Sequence, residues 1–213
     1  MTALPEPLTQ RRLTPDDAPA VRALHEGALS LLARPDWVRP ERPGFFAPVL
    51  AEGLSLGLFD GGQLVGYALM QGRLEAGDNP AATPGMAGLP MAKLCGCTVA
   101  PHWRGHGLQA RLARERLRIG RTRGWRGFFA TAAPGNVPSW HSLLRAGLAI
   151  GQIGRRYSGA LRYTLVLTQG RATGPGRSVG ADDLPAQAML LDQGWRGISR
   201  DGAGIVFRRW VRP

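Results

Sequence analysis

The sequence predicts an α/β (α+β) fold. Three observations carry that reading. Short apolar or alternating runs and amphipathic runs succeed one another along the chain, the first strand-like and the second helix-like. Met91 to Arg123 reads as a strand, a tight Gly-containing turn and a helix. Two further strand-like runs meet at Asp60-Gly61-Gly62, which is hairpin chemistry. A chain of 213 residues can bury one substantial core and carry an appendage.

In chain order, the first strand covers about Leu8 to Arg12, and a helix follows from Asp16 to Leu32 with Asp16 or Asp17 placed to cap it. Ala33 to Gly44 is rich in Pro and Arg, holds Trp37, and reads as an irregular connection. A short helix over Phe45 to Glu52 leads into the hairpin arms Leu54–Phe59 and Leu64–Gln71. Ala76 to Leu89 is a Gly/Pro/Asp-rich loop, long for a compact domain. Then come a strand (Met91–Val99), a helix (Leu108–Arg123), a strand (Phe128–Ala133) and a helix (Pro138–Ala146). Ala149–Tyr157 and Leu161–Thr168 form a last hairpin of this part. Gln169 to Gly180 reads as a Gly-rich linker. Beyond it lie a helix over Asp182–Gln193 and a small hairpin, Trp195–Ile198 with Ile205–Trp210, around Asp201-Gly202. The expected organisation is therefore a domain over 1–168, a linker over 169–180 and an extension over 181–213. The extension is too small for its own core and should pack on the domain or on a partner subunit. No internal repeat is evident.

The net charge is +12, from 27 basic and 15 acidic residues, and Lys93 is the only lysine. On the helix after the Gly turn, Leu108, Leu112 and Ile119 form an apolar stripe, while Arg111, Arg114, Arg118 and Arg121 share an adjacent face. Such a face is either solvated or a patch for phosphates and polyanions. No run approaches a membrane span, and the N-terminus lacks an apolar signal core, so the cytoplasm is the expected location. Cys95 and Cys97, two apart on one strand, should point to the same face. With His102 and His106 they match C-x-C-x4-H-x3-H. Zinc sites usually set their cysteines further apart, so no metal is expected and the pair reads as small strand residues.

Val99 to Leu112, VAPHWRGHGLQARL, is the most informative stretch. A turn that opens a helix exposes backbone N–H groups where the partial positive charge favours an anion. Gly105 and Gly107 let a phosphate approach the backbone closely, and Arg104 adds a charged donor. The pattern points to a nucleotide-bearing cofactor. A second segment, Asn136-Val-Pro-Ser-Trp-His-Ser-Leu-Leu-Arg-Ala-Gly-Leu148, follows an apolar strand; Asn136 reads as a turn residue or helix N-cap.

These two segments, in this order, resemble the GNAT acetyltransferase superfamily. Its cofactor turn has the pattern Val-x-Pro-x-x-(Arg/Gln)-Gly-x-Gly-(Ile/Leu)-(Gly/Ala), matched here by Val99, Pro101, Arg104, Gly105, Gly107 and Leu108, with Gln109 in the last position. In a second register His102 takes the basic position. Leu8 to Leu24 and Tyr157-x-Gly159-x-x-Arg162-Tyr163 extend the likeness, which covers about residues 8 to 168 and is nearest to an uncharacterised bacterial branch. The resemblance implies a GNAT fold: a central, mixed but mostly antiparallel sheet flanked by helices. It implies acetyl-CoA as cosubstrate, held by Cys97, Val99, Arg104, Gly105, His106, Gly107, Leu108, Gln109 and Asn136. It also implies N-acetyl transfer by direct attack of a primary amine in a ternary complex, with the Val99 N–H polarising the thioester carbonyl.

Many relatives carry a Tyr seven residues after the Asn, where this chain has Leu143, and the strand Met91 to Val99 contains no acid. Tyr157, Tyr163 and His141 are the candidate proton-transfer residues, with Ser142 as a further substitute. Trp37, Arg39, Glu75, Asp78, Arg162 and Tyr163 stand on the acceptor-side segments and select no substrate class. Two other readings stay open: a non-catalytic acyl-CoA-binding module, and a basic nucleic-acid-binding protein using the arginine face, which the Gly turn and the Asn136 helix disfavour. Homodimerisation is a further possibility that no residue pattern decides.

Overall fold

The computed structural model describes residues 8–32, 34–38, 40–75, 78, 86–157 and 159–211. Along the chain run β1 (Thr9–Arg12), α1 (Ala18–Ser30), α2 (Phe46–Ala51), β2 (Leu56–Asp60), β3 (Gln63–Gln71), β4 (Met91–Val99), α3 (Leu108–Thr122), β5 (Gly127–Ala132) and α4 (Val137–Arg145). They continue with β6 (Ala149–Arg156), β7 (Ala160–Leu167), β8 (Arg171–Gly180), α5 (Leu184–Asp192), β9 (Trp195–Asp201) and β10 (Gly204–Val211). Among the described residues no helix is long and apolar enough to cross a membrane.

The strands form one sheet in the order β1-β2-β3-β4-β5-β7-β6-β9-β10-β8, mixed but mostly antiparallel and flanked by helices. Its one parallel contact, β4 with β5, is brief: Met91, Ala92 and Lys93 face Gly127, Phe128 and Phe129. Beyond that point β5 pairs only with β7, through Ala132 opposite Tyr163. The free edge of β4 from Leu94 to Val99 thus diverges from β5 and leaves a gap in the middle of the sheet.

A bulge reinforces this divergence. Ala68 of β3 faces Cys97 and Met70 faces Leu94, so two steps on β3 span three on β4. The extra residue lies in Cys95-Gly96 and inverts the alternation there. Leu94, Cys97 and Val99 pack toward α3 with the main core, while Cys95 packs with Tyr67 and Leu69 on the α1/α2 side. The two thiols therefore point to opposite faces, contrary to the expectation from their spacing, because that expectation assumed unbroken pleating.

Among the described residues, which leave out most of the expected loop Ala76–Leu89, the element order follows the sequence reading except over 169–180. That Gly-rich stretch is not a linker: it forms the edge strand β8, paired with β10 from Gly180–Gly204 to Arg171–Val211. An edge strand needs backbone bonds more than side-chain packing, and it tolerates Pro175 and small residues that would spoil an interior strand. The C-terminal helix and hairpin join the same sheet where Ile150 of β6 meets Gly197 of β9. Leu190, Leu191, Trp195, Ile205 and Phe207 belong to the same apolar cluster as Leu112, Leu117, Phe128 and Trp140.

Candidate active site

The gap between β4 and β5 is the centre of a cavity of about 980 Å³. That is at the top of the range for small-molecule sites. On its β4 wall the Ala100 N–H donates to Val65 O of β3 at 2.8 Å. Successive N–H groups on a strand point to opposite sides, so those of Val99 and Cys97 point into the gap. The Val99 carbonyl is oriented the same way and accepts from Arg104 Nε at 3.0 Å.

At its C-terminal end β4 passes through a tight 3-10 turn, Pro101–Trp103, into the Gly turn. Gly105 and Gly107 have φ of +84° and +71°, left-handed values that favour glycine. Gly107 is also the N-cap of α3, so the first N–H groups of a 15-residue helix open onto the cavity beside Leu108 and Gln109. Arg145 arrives from the end of α4, with Nη1 3.9 Å from where a Gly107 Cβ would stand. Sequence reasoning missed it, since only the packing of α3 on α4 brings it to the turn. His106, expected among the cofactor residues, does not line the cavity. Its Nδ1 lies 3.3 Å from Trp103 O and its ring stands edge-on to the Trp103 indole, because the left-handed glycines on either side turn it outward.

Asn136 lines the cavity and caps α4, its side-chain oxygen accepting from the Ser139 N–H at 3.3 Å. Leu143, His141 and Ser142 line the same wall. Burial, then Arg200 and Arg145, lower the His141 pKa below its ordinary value and favour neutral imidazole. Under this wall lies a buried arginine that the sequence gives no reason to place there. Arg116 of α3 donates through Nη1 to Leu69 O, opposite the bulge, and through Nε to Leu112 O at 3.3 Å. Its guanidinium satisfies a carbonyl that the bulge removes from the β3–β4 ladder.

The α1/α2 face carries a second polar lining. Lys93 Nζ pairs with Asp78 Oδ1 at 2.6 Å, and both side chains are largely buried. Burial works against the ammonium, but Cys95, Tyr157 and Asp78 outweigh it and raise its pKa. Tyr157 Oη lies 3.2 Å from Thr131 Oγ1 of β5 and donates to Asp78 Oδ1 at 3.4 Å. Tyr157 is the one non-glycine among the described residues with left-handed φ, at +51°. Cys95 Sγ donates to Gln71 Oε1 at 2.9 Å, and burial pushes its pKa up to about 12, so it is a thiol and not a nucleophilic thiolate. His25 of α1, unremarkable in the sequence, bonds Tyr67 Oη through Nδ1 at 2.8 Å, and Thr98 Oγ1 of β4 donates to the same oxygen at 3.1 Å.

Of the three proton-transfer candidates the structure brings two to the cavity, Tyr157 and His141. Tyr163 is not there. It is fully buried in β7 and donates to Gln187 Oε1 of α5 at 2.6 Å, because its face of β7 is the one that α4 and α5 cover. On the acceptor side, Trp37 lines the cavity, as does Arg162, which donates to Asp36 O at 2.8 Å. Glu75 pairs with Arg42, and Arg39 lies outside the described residues.

A sequence profile described as the acetyltransferase (GNAT) domain matches residues 9–135. No curated protein is significantly similar in sequence. Among solved structures, yncA from Salmonella typhimurium, determined with its cofactor acetyl-CoA, superposes with a TM-score of 0.56 at 18% identity, over 80% of this chain and 98% of that one. The polyamine N-acetyltransferase of Drosophila melanogaster, which forms N-acetylagmatine, gives 0.58 at 15% identity, over 76% of this chain and all of that one. At such identities the structures speak for the fold alone. The profile covers more than half of the chain, including both walls of the gap and the Gly turn. The chain belongs to the GNAT acetyltransferase family.

Proposed function

We propose that this enzyme transfers an acetyl group from acetyl-CoA to a primary amine of its acceptor, by direct attack in a ternary complex. The observation that carries the proposal is the slot between β4 and β5, open on one side to N–H groups of β4 and ending at the Gly105–Gly107 turn. A pantetheine arm is an extended chain of amides. It suits a strand edge with free N–H and C=O groups, as a missing strand would. The pyrophosphate then falls at the N-terminus of α3, where helix N–H groups, Arg104 and Arg145 supply donors and charge. In that register the N–H groups of Val99 and Cys97 face the part of the arm nearest the turn, and the thioester oxygen meets a fixed donor further back along the same edge of β4, aimed where negative charge develops. Acetyl-CoA in the yncA structure, which shares this fold, supports the same cosubstrate here.

The cavity is lined by α3 and α4 on one side and by α1 and Glu41, Arg42 and Phe45 on the other; the first side is assigned to the cofactor and the second, the acceptor limb, to the amine. Tyr157 reaches the acceptor limb with its hydroxyl and is assigned the protonation of the departing sulfur. Tyr157→Phe should lower kcat by about tenfold to a hundredfold and leave acetyl-CoA affinity unchanged. The binding test is calorimetric titration with acetyl-CoA and CoA, on the wild type and on an Arg104→Ala, Gly107→Trp double variant. Micromolar binding, lost in the variant, is expected. A well-folded wild type that binds neither ligand would sink the acyltransferase reading.

A further inference from the structure

Among the described residues, the acceptor limb holds a cation that no carboxylate meets at ion-pair distance: Arg162 of β7. We propose that Arg162 is the anchor for a carboxylate on the acceptor. The acceptor is then an amino carboxylate, a primary amine that also carries a carboxylate, and this rests on the acetyl-transfer reading above.

Three observations support it. The first is the balance of charge. Lys93 pairs with Asp78, and Arg42 pairs with Glu75. Glu41, another acid of this lining, acts on Tyr67 and Cys95 and not on Arg162. Asp36 gives Arg162 its backbone carbonyl at 2.8 Å but directs its exposed carboxylate to Arg34, so that charge acts on Arg162 only from a distance.

The second is burial. Arg162 is 7% exposed, yet it lines the cavity. Two of a guanidinium's five N–H groups are committed, to Leu161 O at 3.0 Å and to Asp36 O, and the others are left for a ligand. Two carbonyls fix the fork without neutralising it, and a desolvated charge is costly until an anion meets it. The fork matches the two oxygens of a carboxylate, and one charge balances one charge. A phosphate dianion would leave negative charge over.

The third is position. Tyr163 stands opposite Ala132 at the end of β5 and points into the main core, so its neighbour Arg162 points to the other face of the sheet, which Lys93, Cys95 and Tyr157 share. Tyr157, assigned to protonate the departing sulfur, is close enough to act on Arg162. Trp37, next to Asp36, lines the cavity with its indole against Gly135, Nε1 lying 3.0 Å from where a Gly135 Cβ would stand. An apolar wall beside a guanidinium strengthens its hold on a carboxylate.

In the reaction the carboxylate stays bound and unchanged. The amine nitrogen bonds to the acetyl carbon, and the C–S bond breaks with its pair on sulfur. Sulfur takes a proton from Tyr157, the nitrogen gives one to solvent, and solvent restores Tyr157. The products are the N-acetylated amino carboxylate and CoA.

The test compares acids with their own amides. The common α-amino acids, β-alanine, γ-aminobutyrate and ε-aminocaproate, each beside its carboxamide, are offered to the full-length enzyme with acetyl-CoA, and CoA release is followed. The best acid should exceed its amide by about tenfold to a hundredfold in kcat/KM, chiefly through KM. Arg162→Gln should erase that ratio while calorimetry shows acetyl-CoA affinity kept. Arg162→Lys, which keeps the charge and loses the fork, should fall between. A residue that only holds the Asp36 segment in place would slow acid and amide alike, so a ratio that survives in Arg162→Gln would overturn the anchor. So would a wild type that uses acids and amides equally, or one that binds acetyl-CoA and acetylates none of these acids. The wild-type comparison and Arg162→Lys decide the matter if Arg162→Gln does not fold. Absence of acetyl-CoA binding would instead overturn the function on which the anchor rests.

Discussion

Two tyrosines six residues apart illustrate how one side chain's surroundings decide its role. Tyr157 leaves the end of β6 in a left-handed conformation and reaches Thr131 and Asp78; Tyr163 points into the core and serves Gln187. Burial pushes the Tyr163 pKa up to about 12, and its hydroxyl is spent on Gln187 away from the cavity. Tyr163→Phe should leave kcat unaltered and cost about 1–2 kcal/mol in urea unfolding, because Gln187 Oε1 loses a buried donor. A hundredfold loss of rate in that variant would return Tyr163 to the mechanism. A second residue-scale prediction concerns Asp17, whose carboxyl is lowered from 3.8 to about 2, chiefly by its hydrogen bonds with Arg11. A depressed carboxyl stabilises the fold above its unfolded pKa, and the contribution is lost as pH falls through the folded value. The Arg11 side chain is half exposed, at 51%, so solvent screens the pair. Asp17→Asn should cost about 1 kcal/mol or less at neutral pH. Its deficit should shrink below about pH 4 and vanish near pH 2, as chemical denaturation across that range would show.

At the scale of elements, the bulge in β4 and the packing of α3 shape the site together. The bulge sends Cys95 and Cys97 to opposite faces, and Arg116 of α3 satisfies Leu69 O beside it. Helix α3 can lie this close to the sheet because Gly120 faces the Phe128 ring. A Cβ there would stand 2.3 Å from Phe128 Cε1, and that ring is fully buried. Helix propensity favours Gly120→Ala by about 1 kcal/mol. Overpacking against a ring with no room to move costs about 1–3 kcal/mol and should win. The variant is expected to melt lower than the wild type, and a raised melting temperature would show that α3 can shift on the sheet. Such a shift would also displace the Gly105–Gly107 turn, so acetyl-CoA affinity should weaken with stability.

Over the whole molecule, the described residues of 8–168 and the C-terminal segment share one sheet and one core cluster. Trp195, Ile205 and Phe207 are buried in the same cluster as Trp140, and Tyr163 bonds across to Gln187. We propose that the extension is a structural part of the catalytic unit and not a separable module. Truncation after Thr168 would strip partners from β6 and β7 and expose that core face. The fragment is expected to be insoluble or to bind a hydrophobic dye without a cooperative thermal transition. A fragment that unfolds cooperatively at the full-length midpoint would show that the extension is dispensable.

The order of elements, the Gly turn and the Asn136 cap were legible in the sequence because each is a local matter. Left-handed glycines, helix caps and hydrophobic periods depend on residues a few positions apart. Even there the composition of 169–180 misled, since an edge strand and a linker tolerate the same small residues. Tertiary structure alone decided which polar groups meet. His25 and Tyr67 are 42 residues apart, Lys93 reaches back to Asp78, and Arg145 comes to Gly107 from another helix. Such meetings are set by strand register and helix packing, where one extra residue in β4 moves a side chain from one face of the sheet to the other. The sequence by itself determined the family. Which side chains line the cavity was decided by the sheet, because His25, Tyr67 and Thr98 come from α1, β3 and β4 and share no local pattern.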